Sequence, residues 1–413
     1  MHSNDAGDLL AELVPGRTVY VQGGAGEPLA LRALLAAQPS ALADVTLAGC
    51  FLPGMNDFDY AALDPAARVS CFMLPPAFRD SFQAGRVTVT PMAYSQIAMA
   101  MRDGPAPDLA ILQVTPPDGD GNCSFGPCAD FAPLVWRRAG KVCAFVNPSL
   151  PRARRGPTIP LSRIDIALEA DGPFITAVEA APAADQLAIA ARIAGLVPDG
   201  AAIQTGIGGA PAAAVGRLKD RKGLVVRSGM VTEGYRGLAD AGALAGDGHI
   251  TGLVLGSPAF MAWGCESFEL ADATTTHGPA SLAQVERLWA LNSALEVDLF
   301  GQANVEWQAG RLISGLGGAP DFARAAKRSP GGRGVLALPA TARGGSISRI
   351  VPRIAAPTVS IPRDDTDLII TEHGIADLRG ASLEGRAKAL IAIAAPEHRE
   401  GLERGWAELR KGL

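Results

Sequence analysis

The sequence predicts an α/β fold in which two similar domains each hold a mainly parallel sheet. Short apolar runs alternate with Ala- and Leu-rich stretches of helical character, and glycines stand at the junctions between them. The runs are apolar throughout rather than alternating with polar residues, which is typical of strands covered on both faces. Strands that alternate with helices in this way favour parallel βα units over a sandwich or a helical bundle.

Two βα segments about half a chain apart resemble each other. Residues 18–22 precede the turn GGAGEP and an Ala/Leu-rich helix, and residues 201–204 precede TGIGGAP and a similar helix. Repetition of one supersecondary pattern indicates an internal duplication. A linker within residues 170–190 marks the junction. We therefore expect an N-terminal domain at residues 1–180 and a C-terminal domain at residues 181–413.

Composition excludes several functional classes. The chain of 413 residues has a net charge of −5 and a pI of about 5.6, so a nucleic-acid-binding surface is not expected. Six cysteines form no C-x-x-C pair, and no Cys/His cluster has the spacing of a zinc site, which predicts no bound metal. No apolar run reaches transmembrane length and the N-terminus lacks the apolar core of a signal peptide, so we expect a cytoplasmic protein without a membrane partner.

Two glycine-rich turns are candidate ligand sites. The turn at residues 205–211 could bring a ligand close to the backbone at the start of a helix. It departs from the dinucleotide fingerprint, because Pro211 replaces the third glycine and Asp220 lies too near for the ribose carboxylate. The second turn, at residues 314–322, could form an anion nest or an oxyanion hole. A tight βα turn and a flexible loop, neither with a ligand, remain the alternatives.

A third glycine-flanked segment, residues 330–352, carries arginines that suit phosphate groups. Arg343 and Arg349 are the candidates, with solvated loop arginines as the alternative. The chain contains no G-x-S-x-G serine elbow and no H-E-x-x-H zinc motif.

Seven segments of the sequence, taken together, carry a family resemblance. In this order they resemble the acetyl-CoA hydrolase/transferase family, which includes 4-hydroxybutyrate and itaconate CoA-transferases: VTPPDGDGNCSFG, KVCAFVNPSLPR, TGIGGAP, NSALEVDLFGQAN, SGLGGAPDF, GGSISRIVP and TEHGIADLRGAS. The resemblance extends from about Val19 to about Arg399.

The resemblance implies two α/β domains of the family I CoA-transferase fold, with the active site between them. It also implies that coenzyme A is held mainly by the C-terminal half. By motif, Gly206 and Gly208 in the first turn and Gly317 and Gly318 in the second are the binding candidates, with Arg343 and Arg349 for the acidic groups of CoA. The second turn departs from the family, because Ala319 replaces a frequent Gln and Pro320 lacks a backbone N–H.

The larger departure concerns the catalytic carboxylate. Relatives place a glutamate in a His-Thr/Ser-Glu-Met phrase, where it attacks the thioester and forms a glutamyl-CoA intermediate. Here the phrase is Arg227-Ser228-Gly229-Met230, so Gly229 takes the position of the nucleophile. We expect Gly229 to face the thioester. If the protein instead hydrolyses acyl-CoA, the void left by the missing side chain could hold a water.

Two carboxylates are candidate replacements. Glu27 follows a strand and begins a helix, at the end of a sheet where α/β sites gather. Its alternative role is a helix charge that complements the macrodipole. Glu233 follows the vacant position closely, but it matches a family aspartate and is expected to cap a helix. We take Glu27 as the candidate nucleophile.

The resemblance implies an enzyme that transfers CoA between a short-chain acyl-CoA and a small carboxylic acid of the itaconate, succinate or 4-hydroxybutyrate kind. Coenzyme A is then substrate rather than prosthetic group, and no prosthetic group is expected. Two alternatives remain open: an acyl-CoA hydrolase that uses water in place of the missing glutamate, and a CoA-binding homologue without turnover. The family also implies a homodimer or homotetramer.

Overall fold

A computed structural model describes residues 5–413, which fold into two units. The first unit contains the described residues up to Val178, together with His249–Thr276 and Ile313–Gly315. The second contains Glu179–Gly248, His277–Leu312 and Leu316–Leu413. One segment from the later half of the sequence, His249–Thr276, thus belongs to the first unit. The boundary expected at residue 180 stays a prediction.

The first unit is built on a seven-stranded parallel sheet of spatial order β4-β3-β2-β1-β5-β7-β9. All six residues of β5 are buried, as expected for a central strand covered on both faces. A small antiparallel pair, β6-β8, lies apart from this sheet. The strands are β1 Thr18–Val21, β2 Thr46–Gly49, β3 Arg68–Cys71, β4 Val87–Val89, β5 Leu109–Val114, β6 Asn122–Ser124, β7 Lys141–Val146, β8 Thr158–Pro160 and β9 Ile166–Glu169.

Helices connect these strands and cover the sheet. They are α1 Ala6–Glu12, α2 Leu29–Ala37, α3 Arg79–Gln83, α4 Tyr94–Asp103 and α5 Ala132–Val135. A core of Tyr20, Leu112, Phe125, Trp136 and their neighbours fills the space beneath α4 and α5.

The second unit begins with α6 Ala184–Leu196, β10 Ala202–Thr205, α7 Gly209–Val215, β11 Val225–Val231 and α8 Gly234–Asp240. The chain then contributes β12 Ile250–Val254, α9 Pro258–Ser267, β13 Glu269–Leu270 and α10 Ala273–Thr276 to the first unit, where β12 and β13 pair in parallel.

Back in the second unit, the chain completes a mainly parallel sheet. Its strands there run in the order β11-β10-β14-β19-β23-β24, and only β24 is antiparallel. The elements are α11 Pro279–Leu282, β14 Leu288–Ser293, β15 Glu296–Asp298, β16 Ala303–Asn304, β17 Trp307–Gln308, β18 Arg311–Leu312, α12 Ala319–Arg328, β19 Arg333–Ala337, β20 Thr341–Ala342, β21 Ile347–Ser348, β22 Ile350–Val351, β23 Leu368–Thr371, β24 Gly374–Asp377, α13 Leu383–Ala392 and α14 Pro396–Arg410.

Both main sheets confirm the predicted α/β class. Each begins with a strand that has later strands on both of its sides: β1 lies between β2 and β5, and β10 lies between β11 and β14. The carboxyl end of such a strand is a topological switch point, where ligands of open α/β sheets bind. The two glycine turns that the sequence singled out, GGAGEP and TGIGGAP, follow these two strands.

Among residues 5–413, no helix combines the length and apolar character that crossing a bilayer requires. Over the same residues, no group of three or more His, Cys, Asp or Glu side chains is arranged to hold a metal ion. The six cysteines are free and buried.

Candidate active site

The first glycine turn is packed tightly against the end of β14. A side chain on Gly206 would meet the Asn292 Oδ1 at 2.3 Å, and one on Gly208 would meet the Ser293 Oγ at 2.1 Å. Real Cβ atoms do not approach so closely, so a side chain at either position would force Asn292 or Ser293 to move. Asn292 is itself held by a reciprocal amide pair with Gln204, at 2.9 and 3.2 Å. The role of this turn in CoA binding stays a prediction.

Hydroxyl groups fix strand β11 to the end of β10. The Ser228 hydroxyl accepts from the Thr205 N–H at 3.3 Å and donates to the Met230 carbonyl at 2.6 Å. The Thr205 hydroxyl in turn lies 2.9 Å from the Tyr235 hydroxyl. These bonds set the position of Gly229, which stands between Ser228 and Met230 on the same strand.

Gly229 faces an imidazole ring. A Cβ atom on Gly229 would lie 2.4 Å from Cε1 and 2.6 Å from Nε2 of His277. The ring therefore occupies the place where any other side chain at this position would begin. The hydrolase alternative would place a water in this space, which the ring of His277 takes up in the structure.

The second glycine turn meets the same ring. Gly317 adopts a positive φ of 57°, which favours glycine, and Gly318 follows as the N-cap of α12. A Cβ on Gly318 would lie 2.6 Å from both Cδ2 and Nε2 of His277. The ring also packs on Phe322, with centroids 4.9 Å apart. The position of the family nucleophile and one of the predicted oxyanion glycines thus converge on one side chain.

Burial keeps this imidazole neutral. His277 is 4% exposed, and desolvation lowers the pKa of its ring from 6.5 to about 3. Each unit by which the pKa is lowered corresponds to about 1.4 kcal/mol, so the surroundings disfavour the charged ring by on the order of 5 kcal/mol. A neutral imidazole carries one N–H donor and one acceptor nitrogen.

The lowered pKa of His277 predicts a loss of stability in acid. Because the unfolded chain takes up a proton near pH 6.5 and the folded chain only near pH 3, the stability from neutral His277 is present above pH 6.5 and lost as the pH falls. When the pH is lowered from 7 to 4.5, the free energy of unfolding should fall in both the wild type and His277→Phe. The fall should be about 2–3 kcal/mol smaller in His277→Phe, which has no imidazole to protonate. Denaturant unfolding of both proteins at the two pH values measures this, and equal losses would contradict it.

Glu27 is fully buried and engaged by donors on both oxygens. Arg32 donates to Oε1 at 2.9 Å and to Oε2 at 2.6 Å, Tyr60 donates to Oε1 at 2.5 Å, and Asn56 donates to Oε2 at 2.6 Å. An ionised carboxylate has about four acceptor positions, and all four are used here. These contacts favour a structural role for Glu27, and its role as nucleophile stays a prediction.

Asn56 extends the network around Glu27 into the GGAG turn. Its side chain accepts from the Gly24 N–H at 2.9 Å and donates to the Gly24 carbonyl at 3.0 Å. Glu27 therefore holds Asn56, and Asn56 holds the turn that follows β1.

The remaining candidates differ in their surroundings. Arg343 is exposed and has a positive φ of 49° in the β20–β21 hairpin. Arg349 is half-buried, and its backbone pairs with Ala340 and Val297. Within residues 5–413, neither guanidinium forms an ion pair, which leaves both able to meet a phosphate. Glu233 lies at the N-cap position of α8, as expected, but its side chain forms no capping hydrogen bond to that helix.

The first unit holds a second buried ionisable group that sequence reasoning missed. Asp130 accepts from the Tyr94 hydroxyl at 3.0 Å through Oδ2, while its Oδ1 has no hydrogen-bond partner among residues 5–413. Burial, with a smaller contribution from the charge of Asp272, raises the pKa of Asp130 to about 7.

The raised pKa of Asp130 predicts that its charge destabilises the fold at alkaline pH. The stability from the protonated acid is present below about pH 3.9 and lost as the pH rises through 7. Asp130→Asn keeps an acceptor for Tyr94 and removes the charge. As the pH rises from 4 to 8, the free energy of unfolding of the variant should increase by roughly 3–4 kcal/mol relative to that of the wild type. A variant that gains nothing over this range would show that Asp130 is not held in its protonated form.

The fold and the converging motifs define a class of CoA-thioester enzymes, and comparison with known proteins identifies the family. Residues 5–179 match the N-terminal domain of the acetyl-CoA hydrolase/transferase family and residues 256–406 match its C-terminal domain. The 4-hydroxybutyrate coenzyme A transferase of Clostridium kluyveri is 31% identical over 360 residues, which cover 84% of each chain. The chain belongs to the acetyl-CoA hydrolase/transferase family.

Solved structures agree with this assignment. RipA from Yersinia pestis is similar with a TM-score of 0.91 and 26% identity, over 99% of this chain and 98% of that chain. The 4-hydroxybutyrate CoA-transferase of Porphyromonas gingivalis has a TM-score of 0.81 and 28% identity, over 98% and 96%. These likenesses confirm the predicted CoA-transferase fold.

Proposed function

We propose that the protein transfers coenzyme A between a short-chain acyl-CoA and a small carboxylate of the itaconate, succinate or 4-hydroxybutyrate kind. Family membership supports this activity. So do the names of relatives, which include the 4-hydroxybutyrate transferase above and a succinyl-CoA:acetate/propanoyl-CoA:succinate CoA transferase of Fasciola hepatica, 31% identical over 410 residues.

The observation that carries the proposal is the convergence of Gly229 and Gly318 on His277. In relatives, the first position supplies the group that meets the thioester carbon, and the turn of the second stabilises its oxygen. Both positions contact Nε2 of this one imidazole, so they lie close enough to act on the same carbonyl. A thioester carbonyl bound there would also meet the N-terminus of the ten-residue helix α12, which favours developing negative charge.

Position 229 does not support the glutamyl route of the family. Gly229 has no carboxylate, and His277 occupies the space that one would need. We propose that the acceptor carboxylate attacks the thioester directly, without an enzyme-bound CoA intermediate.

We propose that CoA is held by the glycine turns at Gly206–Gly208 and Gly317–Gly318, with Arg343 and Arg349 meeting its acidic groups. Replacing both arginines by Gln should weaken CoA binding by about tenfold, since each exposed charged contact contributes about 0.5–1 kcal/mol. The wild type should lose affinity as salt rises, and the double variant should lose less. Titration calorimetry at about 50 and 300 mM salt measures both effects.

Arg404→Gln is the matched control, because Arg404 is exposed on α14 and, among residues 5–413, forms its ion pair with the nearby Glu400. It should bind CoA as the wild type does. An equal loss of affinity in Arg404→Gln would mean that net charge, rather than the two named arginines, attracts the ligand.

One assay separates transfer from the two alternatives. The purified protein is incubated with short-chain acyl-CoA, with and without an acceptor acid, and the CoA species are separated. Transfer predicts the acyl-CoA of the acceptor, formed only when that acid is present. Free CoA released at equal rates with and without acceptor would replace the proposal by hydrolysis. Tight CoA binding with neither product would replace it by a binding role.

We further propose that the protein acts in the cytoplasm as a homodimer or homotetramer. Six free, buried cysteines are compatible with a reducing compartment, and closed symmetric assemblies are the commonest state of soluble oligomers. Sedimentation equilibrium measures the assembly state, and a monomer would contradict the proposed homodimer or homotetramer.

A further inference from the structure

We propose that Arg227 binds the second carboxylate of a dicarboxylic acceptor, the carboxylate that takes no part in the reaction. This assignment rests on the proposed function and narrows its acceptor to acids of the succinate and itaconate kind. It makes Arg227 a specificity-determining residue, two positions before Gly229 on strand β11.

Arg227 and Gly229 lie on the same face of β11. Side chains alternate between the two faces of a strand, and exposure follows this alternation here, because positions 225, 227 and 229 are half-buried whereas positions 226 and 228 are buried. Two residues of a strand span about 6.5 Å. The guanidinium of a long arginine side chain can therefore reach a small acid that is bound beside Gly229.

Solvent reaches Arg227, and its charge is not neutralised by the protein. The residue is half-buried rather than enclosed in the core. Within residues 5–413 its guanidinium forms no ion pair and no hydrogen bond. Arginine is permanently charged and carries five N–H donors that match a carboxylate. A half-buried cation without partners is unfavourable, and a bound carboxylate would supply both the counter-charge and the acceptors.

The missing glutamate leaves Arg227 without a counter-charge on its own face. A carboxylate at position 229 would be the next side chain on that face of the strand and would neutralise the guanidinium. Gly229 provides no charge. The ring of His277, which takes up the space beside Gly229, is neutral because burial lowers its pKa to about 3. A carboxylate of the substrate can therefore take the place of the protein's own.

The separation along the strand favours the non-reacting carboxylate as the partner of Arg227. A carboxylate held by both arms of a guanidinium has both oxygens engaged, which makes it a poor nucleophile. In a dicarboxylic acid of four carbons, three C–C bonds of about 1.5 Å each hold the two carboxyl carbons about 4 Å apart. One carboxylate can then attack a thioester beside Gly229 while the other extends along the strand towards Arg227.

Arg227→Gln tests this selectivity with two acceptors, succinate and succinamate, which are similar in shape and differ in the charge at one end. For succinate, the variant should lose about 10–100-fold in kcat/KM, the range that hydrogen bonds to a charged group supply, mainly through a higher KM for the acceptor. For succinamate, kcat/KM should change less than about twofold. Arg227→Lys keeps the charge without the planar fork, and it should recover about three- to tenfold for succinate.

Arg217→Gln is the matched control, because Arg217 is an exposed arginine of the same unit that forms no ion pair among residues 5–413. It should leave both acceptors unchanged. Calorimetric titration of succinate into protein saturated with CoA provides a measurement without turnover. The wild type and Arg217→Gln should bind succinate, and Arg227→Gln should bind it at least about tenfold more weakly. Thermal unfolding of each variant verifies that it is folded.

The outcomes separate this inference from the proposed function. An active wild type, with the same ratio of kcat/KM for the two acceptors in Arg227→Gln, overturns the role of Arg227 and leaves the transferase standing. Equal losses for succinate and succinamate also overturn it, because Arg227 would then meet the reacting carboxylate. A higher KM for acyl-CoA alone overturns it in favour of a contact with CoA. A wild type that forms no product but binds succinate through Arg227 overturns the transferase and retains the carboxylate site.

Discussion

Gly229→Glu alone should destabilise the protein and give no gain of transferase activity. A Cβ at this position would lie 2.4 Å from the His277 ring, so the ring or the strand must move to admit a glutamate. Overpacking of this kind costs about 1–3 kcal/mol, and a buried carboxylate adds to it. We expect the unfolding free energy to fall by about 2–4 kcal/mol. The substitution that sequence comparison suggests for restoring the family nucleophile therefore fails on packing.

Gly229→Glu combined with His277→Ala should recover much of this loss. Removing the ring opens the space that the glutamate needs, so the two changes should be strongly non-additive, with a coupling of about 2 kcal/mol. A double-mutant cycle of unfolding free energies measures the coupling. Trapping with hydroxylamine after acyl-CoA treatment should then label residue 229 in the double variant and not in the single one.

Gly246→Glu is the matched control for this cycle. A side chain on Gly246 would meet no atom within 4 Å, so the same substitution there should change stability by less than about 0.5 kcal/mol. If Gly229→Glu is as mild as this control, His277 does not fill the nucleophile position as we describe.

Glu27→Gln should be among the most destabilising single changes in the first unit. The NH₂ group that replaces one carboxylate oxygen would face the donors of Arg32 and of either Tyr60 or Asn56, and the Arg32 guanidinium would lose its counter-charge. Removing one partner of a buried pair costs roughly 3–5 kcal/mol. Because the Arg32 side chain is 25% exposed, we expect about 2–4 kcal/mol here, measured by denaturant unfolding.

The control for Glu27→Gln is Glu400→Gln, since Glu400 is an exposed member of an i,i+4 pair on α14. That change should cost less than about 0.5 kcal/mol. Activity per folded molecule tells the two roles of Glu27 apart. Folded Glu27→Gln that turns over normally supports the structural role. Folded but inactive Glu27→Gln, with an acyl-dependent label on Glu27 in the wild type, would restore it as nucleophile.

The fold could be predicted because it depends on patterns that are local in sequence. The apolar runs before GGAGEP and TGIGGAP predicted β1 and β10, and these strands take corresponding places in their sheets. Glycine requirements were also visible. The reason for glycine at positions 206 and 208 could not be seen in the sequence, because the side chains that pack there, Asn292 and Ser293, lie at the end of another strand.

The departure at Gly229 was visible in sequence, but its consequence was not. His277 is separated from Gly229 by His249–Thr276, a segment that belongs to the other unit, so no sequence spacing connects the two. Tertiary packing decides which group occupies the space left by a missing side chain. Two partners of Glu27, Asn56 and Tyr60, lie near each other in the sequence, in the segment FLPGMNDFDY. Only the folded chain brings both of them to one carboxylate.

We propose that this protein moves CoA without the glutamyl intermediate of its family. The most direct measurement is the intact mass of the enzyme during turnover with acyl-CoA and an acceptor acid, quenched with acid and compared with borohydride-treated samples. We expect the acceptor's acyl-CoA to accumulate while the enzyme carries neither CoA nor a borohydride-reduced residue. A CoA adduct on any glutamate, or reduction of one during turnover, would contradict it.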